Sequence, residues 1–143
     1  MPITGQTVLI TGGTGSFGHK FCEIALAECS TRRIIIFSRD EAKHKRMRER
    51  FPNPRLEFFL GDVRDAERVK RAFQAPADIV IHAAALKHIE ICEREPIEAI
   101  QTNIIGAKNV VNAALDTGVN KVIGLSSDKG CAPNSLYGMT KAV

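Results

Sequence analysis

Directly after the apolar run Val8-Leu9-Ile10 the chain reads Thr11-Gly12-Gly13-Thr14-Gly15-Ser16-Phe17-Gly18, and it then opens into a stretch of helical composition, Phe17–Glu28. This feature constrains the fold more than any other. Glycines at Gly12, Gly15 and Gly18, placed between a β-like run and a helix, call for a backbone that turns sharply, leaves amides open and lets the helix press onto a sheet.

The rest of the chain repeats the alternation. Strand-like runs fall at Val8–Thr11, Arg33–Phe37, Leu56–Leu60, Ile79–His82 and Val122–Leu125, and several are apolar throughout, as parallel strands covered on both faces are. Helical patterns fall between them at Phe17–Glu28, Glu41–Arg50, Ala66–Phe73 and Pro96–Thr117. In the last of these, Ile97, Ile100, Ile104, Ala107, Val111 and Ala114 recur at helical spacing and predict one buried stripe. Strand–helix alternation of this kind predicts an α/β fold, a doubly wound parallel sheet of Rossmann type with right-handed crossovers. No repeat, linker or low-complexity tract divides the chain, so residues 1–143 read as one domain.

The composition, 44% hydrophobic and 25% charged, supplies a real core. Much of the net charge of +4 comes from the stretch Glu41–Arg50, with Lys43, His44, Lys45, Arg46, Arg48 and Arg50. Such a run is either a solvated helix face or a landing place for the phosphates of a ligand. Nucleic acid is disfavoured, because one Tyr and no Trp leave little for base stacking. Cys22, Cys29, Cys92 and Cys131 form no metal-ligand spacing, so no metal site is expected and free thiols in the cytoplasm are. No apolar stretch approaches the roughly 20 residues that span a bilayer, and Met1–Gln6 lacks the charged start of a signal peptide. No membrane partner is expected.

A glycine turn between strand and helix is the pattern that cradles a dinucleotide. Gly12 permits the turn, Gly15 lets backbone approach a pyrophosphate, and Gly18 lets the helix pack, while Thr14, Ser16 and Phe17 complete the loop. After the second strand stand Ser38, Arg39 and Asp40, with Lys43 one turn later. Arg39 can fork onto a 2′-phosphate and Lys43 can add charge, which favours NADP; Asp40 leaves NAD open, and is equally a helix N-cap. Asp62 and Val63 follow the third strand, near an adenine or as a capped turn. Ala83 and Ala84 follow the fourth, where small residues let backbone pass a flat ligand.

Near the end, Tyr137 and Lys141 lie four apart, on one face of a helix. An ammonium beside a phenol favours the phenolate that takes a proton from a sugar hydroxyl. With Ser126-Ser127 upstream and the glycine turn, this resembles the extended short-chain dehydrogenase/reductase family. Ser127-Asp128-Lys129, Ala83-Ala84-Ala85-Leu86-Lys87-His88 and Gly61-Asp62-Val63-Arg64-Asp65 narrow the resemblance to the UDP-N-acetylglucosamine 4,6-dehydratases. The branch they are similar to is the soluble, C5-inverting one of pseudaminic acid biosynthesis. Ser135 and Glu90 depart from that family's usual Asn and Pro.

The resemblance implies a lyase in which Tyr137, assisted by Lys141, deprotonates the sugar C4 hydroxyl while NADP takes hydride. Lys129 removes the C5 proton and Asp128 protonates the departing C6 hydroxyl. Read alone, Asp128-Lys129 is a surface ion pair. Lys87 and Ser126 are implied near the cofactor, and Asn103, mid-helix, near the Tyr–Lys pair; His88 and Thr102 are weaker candidates. The implied partner is a UDP-sugar, and the parent enzyme is implied to be a homo-oligomer. Val143 stands two residues past Lys141. The chain is therefore expected to be C-terminally truncated, with the substrate domain absent, the Tyr–Lys helix cut to one turn, and no turnover. The competing readings are another extended short-chain epimerase or reductase, and a non-catalytic dinucleotide-binding module.

Overall fold

The computed structural model describes residues 3–143. Five strands form one sheet in the order β3-β2-β1-β4-β5: β1 (Thr7–Thr11), β2 (Arg33–Ser38), β3 (Leu56–Leu60), β4 (Ile79–His82) and β5 (Lys121–Gly124). All four pairings are parallel, with Leu9 opposite both Ile35 and Val80. The sheet grows outward one way from β1 to β3, then the chain crosses back so that β4 lies on the other side of β1. That reversal makes this a doubly wound, Rossmann-type sheet and opens a crevice above the C-terminal ends of β1 and β4.

Helices cover both faces. On one, Val8, Ile10, Ile34, Ile36 and Ile81 pack with Cys22 and Ala25 of α1 (Ser16–Glu28) and Met47 of α2 (Glu41–Arg50). On the other, Leu9, Ile35, Phe37 and Val80 pack with Val69 and Phe73 of α3 (Ala66–Phe73) and with Val110 and Ala113 of α6 (Gly106–Asp116). Successive strand residues thus point to opposite cores, which is why β1 and β2 have no polar alternation. Each fully buried Ile, Leu or Phe contributes about 1.5–3 kcal/mol by leaving water. Asp40 and Asp65 cap α2 and α3 by accepting from Lys43 N and Arg68 N, both at 2.9 Å.

The structure departs from the sequence expectation on the far side of β4. Ile89–Arg94 forms a short helix, α4, that the pattern does not foretell, because six residues with only Cys92 buried carry no readable period. The stretch expected as one helix over Pro96–Thr117 is α5 (Pro96–Ile100), a π-turn (Gln101–Ile105) and then α6. The wide turn shifts the phase of the helix. Ala99, Thr102, Asn103, Gly106, Val110, Ala113 and Ala114 face inward, while Ile97 (65% exposed) and Val111 (44% exposed) from the expected stripe face out. β5 begins at Lys121 rather than Val122 and, among the described residues, pairs only with β4, with all four of its residues exposed.

The last helix, α7 (Leu136–Ala142), has seven residues, about two turns, rather than one. It does not stand on propensity alone. Ser135 Oγ accepts from Gly138 N at 3.2 Å, and the Glu93 carboxylate of α4 accepts from Leu136 N at 2.7 Å.

Candidate functional site

The crevice above β1 and β4 has a volume of about 630 Å³ and collects most of the residues singled out above. Gly12, Thr14, Gly15, Ser16 and Phe17 form its floor; Ser38, Arg39, Asp40, Lys43, Asp62 and Val63 one end; Ala83, Ala84, Lys87, Ser126, Tyr137 and Lys141 the other. Gly18, Asn103, Asp128 and Lys129 do not line it. Gly61 and Ala85 of the motifs and the candidate Thr102 line it as well, as do Phe37 and Leu125, which no motif marks.

Gly12 has φ +67°, and a Cβ there would come within 2.7 Å of the Ala84 backbone, so only glycine lets the two loops meet. Gly18 serves packing: a side chain would run into the Gly13 carbonyl at the start of α1. Unlike α2 and α3, α1 has no side-chain cap and no acidic residue in its first turn. Its first amides have no intrahelical partner and its positive dipole end faces the crevice. That is the condition for holding an anion.

At the β2 end, Thr14 Oγ1 donates to Ser38 Oγ at 3.0 Å, and Ser38 Oγ lies 2.6 Å from Nε2 of buried His44. Burial pulls His44 below the ordinary histidine range, against its hydrogen bonding with Ser38. Arg39 Nη1 stands 3.6 Å from Asp62, with Arg39 53% exposed. Burial alone would raise the Asp62 carboxyl, yet hydrogen bonds and charge from Arg64, together with Arg39, hold it below its usual value. Arg64 in turn pairs with Glu98 of α5. Asp40 is occupied as the α2 cap, and the Lys43 N–H that it accepts is the main cause holding its carboxyl low.

At the other end, Tyr137 and Lys141 share one face of α7 and both reach the crevice. Lys141 Nζ donates to the Leu125 carbonyl at 3.0 Å, and burial lowers its pKa. His82, at the end of β4, bonds Thr11 Oγ1 through Nδ1 at 2.7 Å; burial, with Lys141 adding charge, pushes it down to about 4. Asn103, brought inward by the π-turn, does not reach the crevice. Its carboxamide accepts from Leu86 N at 2.8 Å and donates to Leu86 O and Thr140 Oγ1, both at 2.9 Å. It ties the β4 loop to α7.

Asp128 and Lys129 lie on a short 3-10 turn (Asp128–Gly130) beside α7. Lys129 Nζ donates to Asp128 at 2.6 Å with both side chains exposed. Bonds from Lys129, and then from the Ser127 hydroxyl, hold the Asp128 carboxyl below its usual range, and the same pair raises Lys129. Among the described residues no group of His, Cys, Asp or Glu could hold a metal ion, and no helix is long and apolar enough to cross a membrane.

A doubly wound sheet with this glycine turn and a Tyr–Lys pair on the same crevice defines the class of extended short-chain dehydrogenases/reductases. Within it, the chain belongs to the polysaccharide biosynthesis protein family, whose sequence model matches residues 8–143. It is 50% identical over 136 residues to a UDP-N-acetylglucosamine 4,6-dehydratase (inverting) of Campylobacter jejuni, covering 95% of this chain and 40% of that protein. It is 46% identical over 142 residues to a UDP-glucose 4-epimerase of Rickettsia canadensis, covering 96% and 41%. The crystal structure of Pen from Bacillus thuringiensis superposes with a TM-score of 0.93 at 37% identity, over 99% of this chain and 43% of that one. The Bordetella bronchiseptica enzyme WbmG, solved in complex with NAD, gives 0.81 at 26% identity, over 96% and 47%. The chain spans about 40% of the length of the curated relatives it matches.

Proposed function

We propose that this chain is the NADP-binding domain of a UDP-N-acetylglucosamine 4,6-dehydratase, which forms a 4-keto-6-deoxy UDP-hexosamine with inversion at C5. The observation that carries this reading is the convergence of the uncapped α1 N-terminus and the Tyr137–Lys141 face on one crevice. The residues fit a dinucleotide. Open amides of Ser16–Gly18 suit the pyrophosphate, Arg39 and Lys43 suit a 2′-phosphate, Asp62 and Val63 suit the adenine, and Ala83 and Ala84 leave room along the crevice. The NAD in the WbmG structure supports a dinucleotide of either kind; the Arg39–Lys43 pair is what favours NADP.

A nicotinamide dinucleotide bound there supplies a hydride acceptor at C4 that returns the hydride at C6, so the net reaction is loss of water. The chain's own residues move the protons. Tyr137 takes the proton of the C4 hydroxyl, and Lys141, whose ammonium burial disfavours, steadies the phenolate charge and relays the proton. The resulting 4-keto group acidifies C5. Lys129 removes the C5 proton, Asp128 protonates the leaving C6 hydroxyl, and reprotonation on the opposite face of C5 inverts it. As an exposed ion pair Lys129 is a poor base. We infer that the bound sugar dries the pair, so that the Lys129 proton passes to Asp128 and leaves a neutral amine to take the C5 proton and a carboxylic acid to give one to the C6 hydroxyl. Lys87 faces the same end of the crevice as a contact to cofactor or substrate.

We further place the parent protein in the cytoplasm, in the pathway to pseudaminic acid, as a homo-oligomer, with UDP-sugar binding and turnover needing more than these 143 residues. The 46% identical epimerase supports a second reading, since an epimerase shares the glycine turn and the Tyr–Lys pair. One experiment separates them. The full-length protein is incubated with UDP-N-acetylglucosamine in deuterated water, as wild type and as Lys129→Ala. The dehydratase reading expects a 4-keto-6-deoxy product carrying solvent deuterium, and loss of exchange at C5 in the variant. A 4-epimer without C5 exchange, unchanged in the variant, contradicts it.

A further inference from the structure

Behind the Ser38 end of the crevice stands a histidine that none of these steps uses. His44 lies on the inner face of α2, 6% exposed, its ring 5.5 Å from that of Phe58 and tilted 58° to it. Its Nε2 is 2.6 Å from Ser38 Oγ, and Thr14 Oγ1 donates to the same oxygen at 3.0 Å. Thr14 and Ser38 line the crevice; His44 does not.

A serine hydroxyl has one hydrogen and two lone pairs, and Thr14 occupies one pair. If His44 Nε2 carries a hydrogen, it fills the second pair and the Ser38 hydrogen is free to point into the crevice. If Nε2 is bare, Ser38 spends its hydrogen on the ring and offers the crevice no donor. The tautomer of a neutral His44 therefore decides whether Ser38 is a donor there. Arg39 and Lys43 put positive charge at the same end, where an anionic oxygen needs donors.

We propose that His44 is a positioning residue that sets coenzyme specificity. With Nε2–H on Ser38 Oγ, it frees the serine hydrogen for a phosphate on the adenosine ribose and so favours a 2′-phosphorylated dinucleotide over one with a free hydroxyl. This rests on the dinucleotide reading above. A free 2′-hydroxyl can both give and accept, so it loses little when Ser38 changes role, whereas a phosphate only accepts.

The test titrates the full-length protein with NADPH and with NADH, as wild type, His44→Gln, His44→Leu, Ser38→Ala and the His44→Leu/Ser38→Ala double variant. Gln keeps an amide hydrogen at the position of Nε2. We expect His44→Leu and Ser38→Ala each to weaken NADPH about tenfold, the scale of one hydrogen bond to a charged group. NADH should shift less than about twofold, His44→Gln should bind as wild type, and the double variant should be no weaker than Ser38→Ala. Equal losses for both coenzymes would overturn the proposal by making His44 merely structural, and so would an unchanged His44→Leu. Should His44→Leu fail to fold, Ser38→Ala decides alone by the same ratio. Wild type that binds neither coenzyme overturns the dinucleotide reading itself.

Discussion

The Asn103 carboxamide donates a hydrogen bond of 2.9 Å to the Thr140 hydroxyl, on the helix turn between Tyr137 and Lys141. The same carboxamide holds both backbone groups of Leu86 in the β4 loop. One buried side chain thus sets α7 against the crevice. Replacing it strands the Leu86 N–H. Asn103→Ala should lower stability by about 2–3 kcal/mol, read by denaturant unfolding. In the folded variant the full-length protein should lose kcat at least tenfold while NADPH affinity changes less than about threefold. Equal losses in both would contradict this placement.

Glu93 offers a second handle on the same helix. Its carboxylate accepts from Leu136 N, one residue before Tyr137. Glu93→Gln keeps an acceptor oxygen and should behave as wild type. Glu93→Ala removes the cap and should cost about 1 kcal/mol of stability, with a lower kcat. A Gln variant as damaged as the Ala variant would show that the charge, and not the cap, matters.

Arg39 tests the preference for a 2′-phosphate. Its guanidinium is 3.6 Å from Asp62 Oδ2, the oxygen that the Arg64 guanidinium also holds. Arg39→Ala should weaken NADPH about ten- to a hundredfold and leave NADH within about twofold, measured by fluorescence titration. Loss of NADH binding by the same factor would count against the assignment.

The pH dependence has a definite sign. Burial pushes His82 from 6.5 down to about 4, so the folded protein binds its proton later than the unfolded chain does. Stability from this group is complete above about pH 6.5 and is lost as pH falls toward 4, by about 3 kcal/mol in all. His19 and His44 are lowered as well, also by burial first, and add in the same direction. His82→Asn keeps a partner for Thr11 without titrating. Its Tm should fall less between pH 7 and pH 4.5 than that of wild type. Parallel Tm curves would contradict the assignment.

The near half of the fold is plain in the sequence and the far half is not. β1 and β2 are buried on both faces, so their apolar runs are unbroken, and Gly12 and Gly18 mark a turn that no other residue fits. Asp40 announces the helix it caps. Beyond β4 the signals conflict. Ile97 and Val111 keep a helical period with Ala114, but the π-turn at Gln101–Ile105 rotates the helix and buries Thr102 and Asn103 instead. A wide turn leaves no mark in the spacing of apolar residues. His44 escapes notice for a related reason: amid the charges of Glu41–Arg50 its inward position is set by Phe58 of β3 and by the Ser38 hydroxyl at the end of β2, contacts that only the tertiary fold supplies. Asn103 is legible as an inward polar residue, but its partners Leu86 and Thr140 come only with the tertiary fold.

Calorimetric titration of NADPH into the purified protein addresses the glycine-turn crevice most directly. Saturable heat at one site per chain, with NADPH bound more tightly than NADH and the site lost in Gly12→Val, is the predicted result. A flat titration with both coenzymes, from a protein whose circular dichroism shows it folded, would contradict the account.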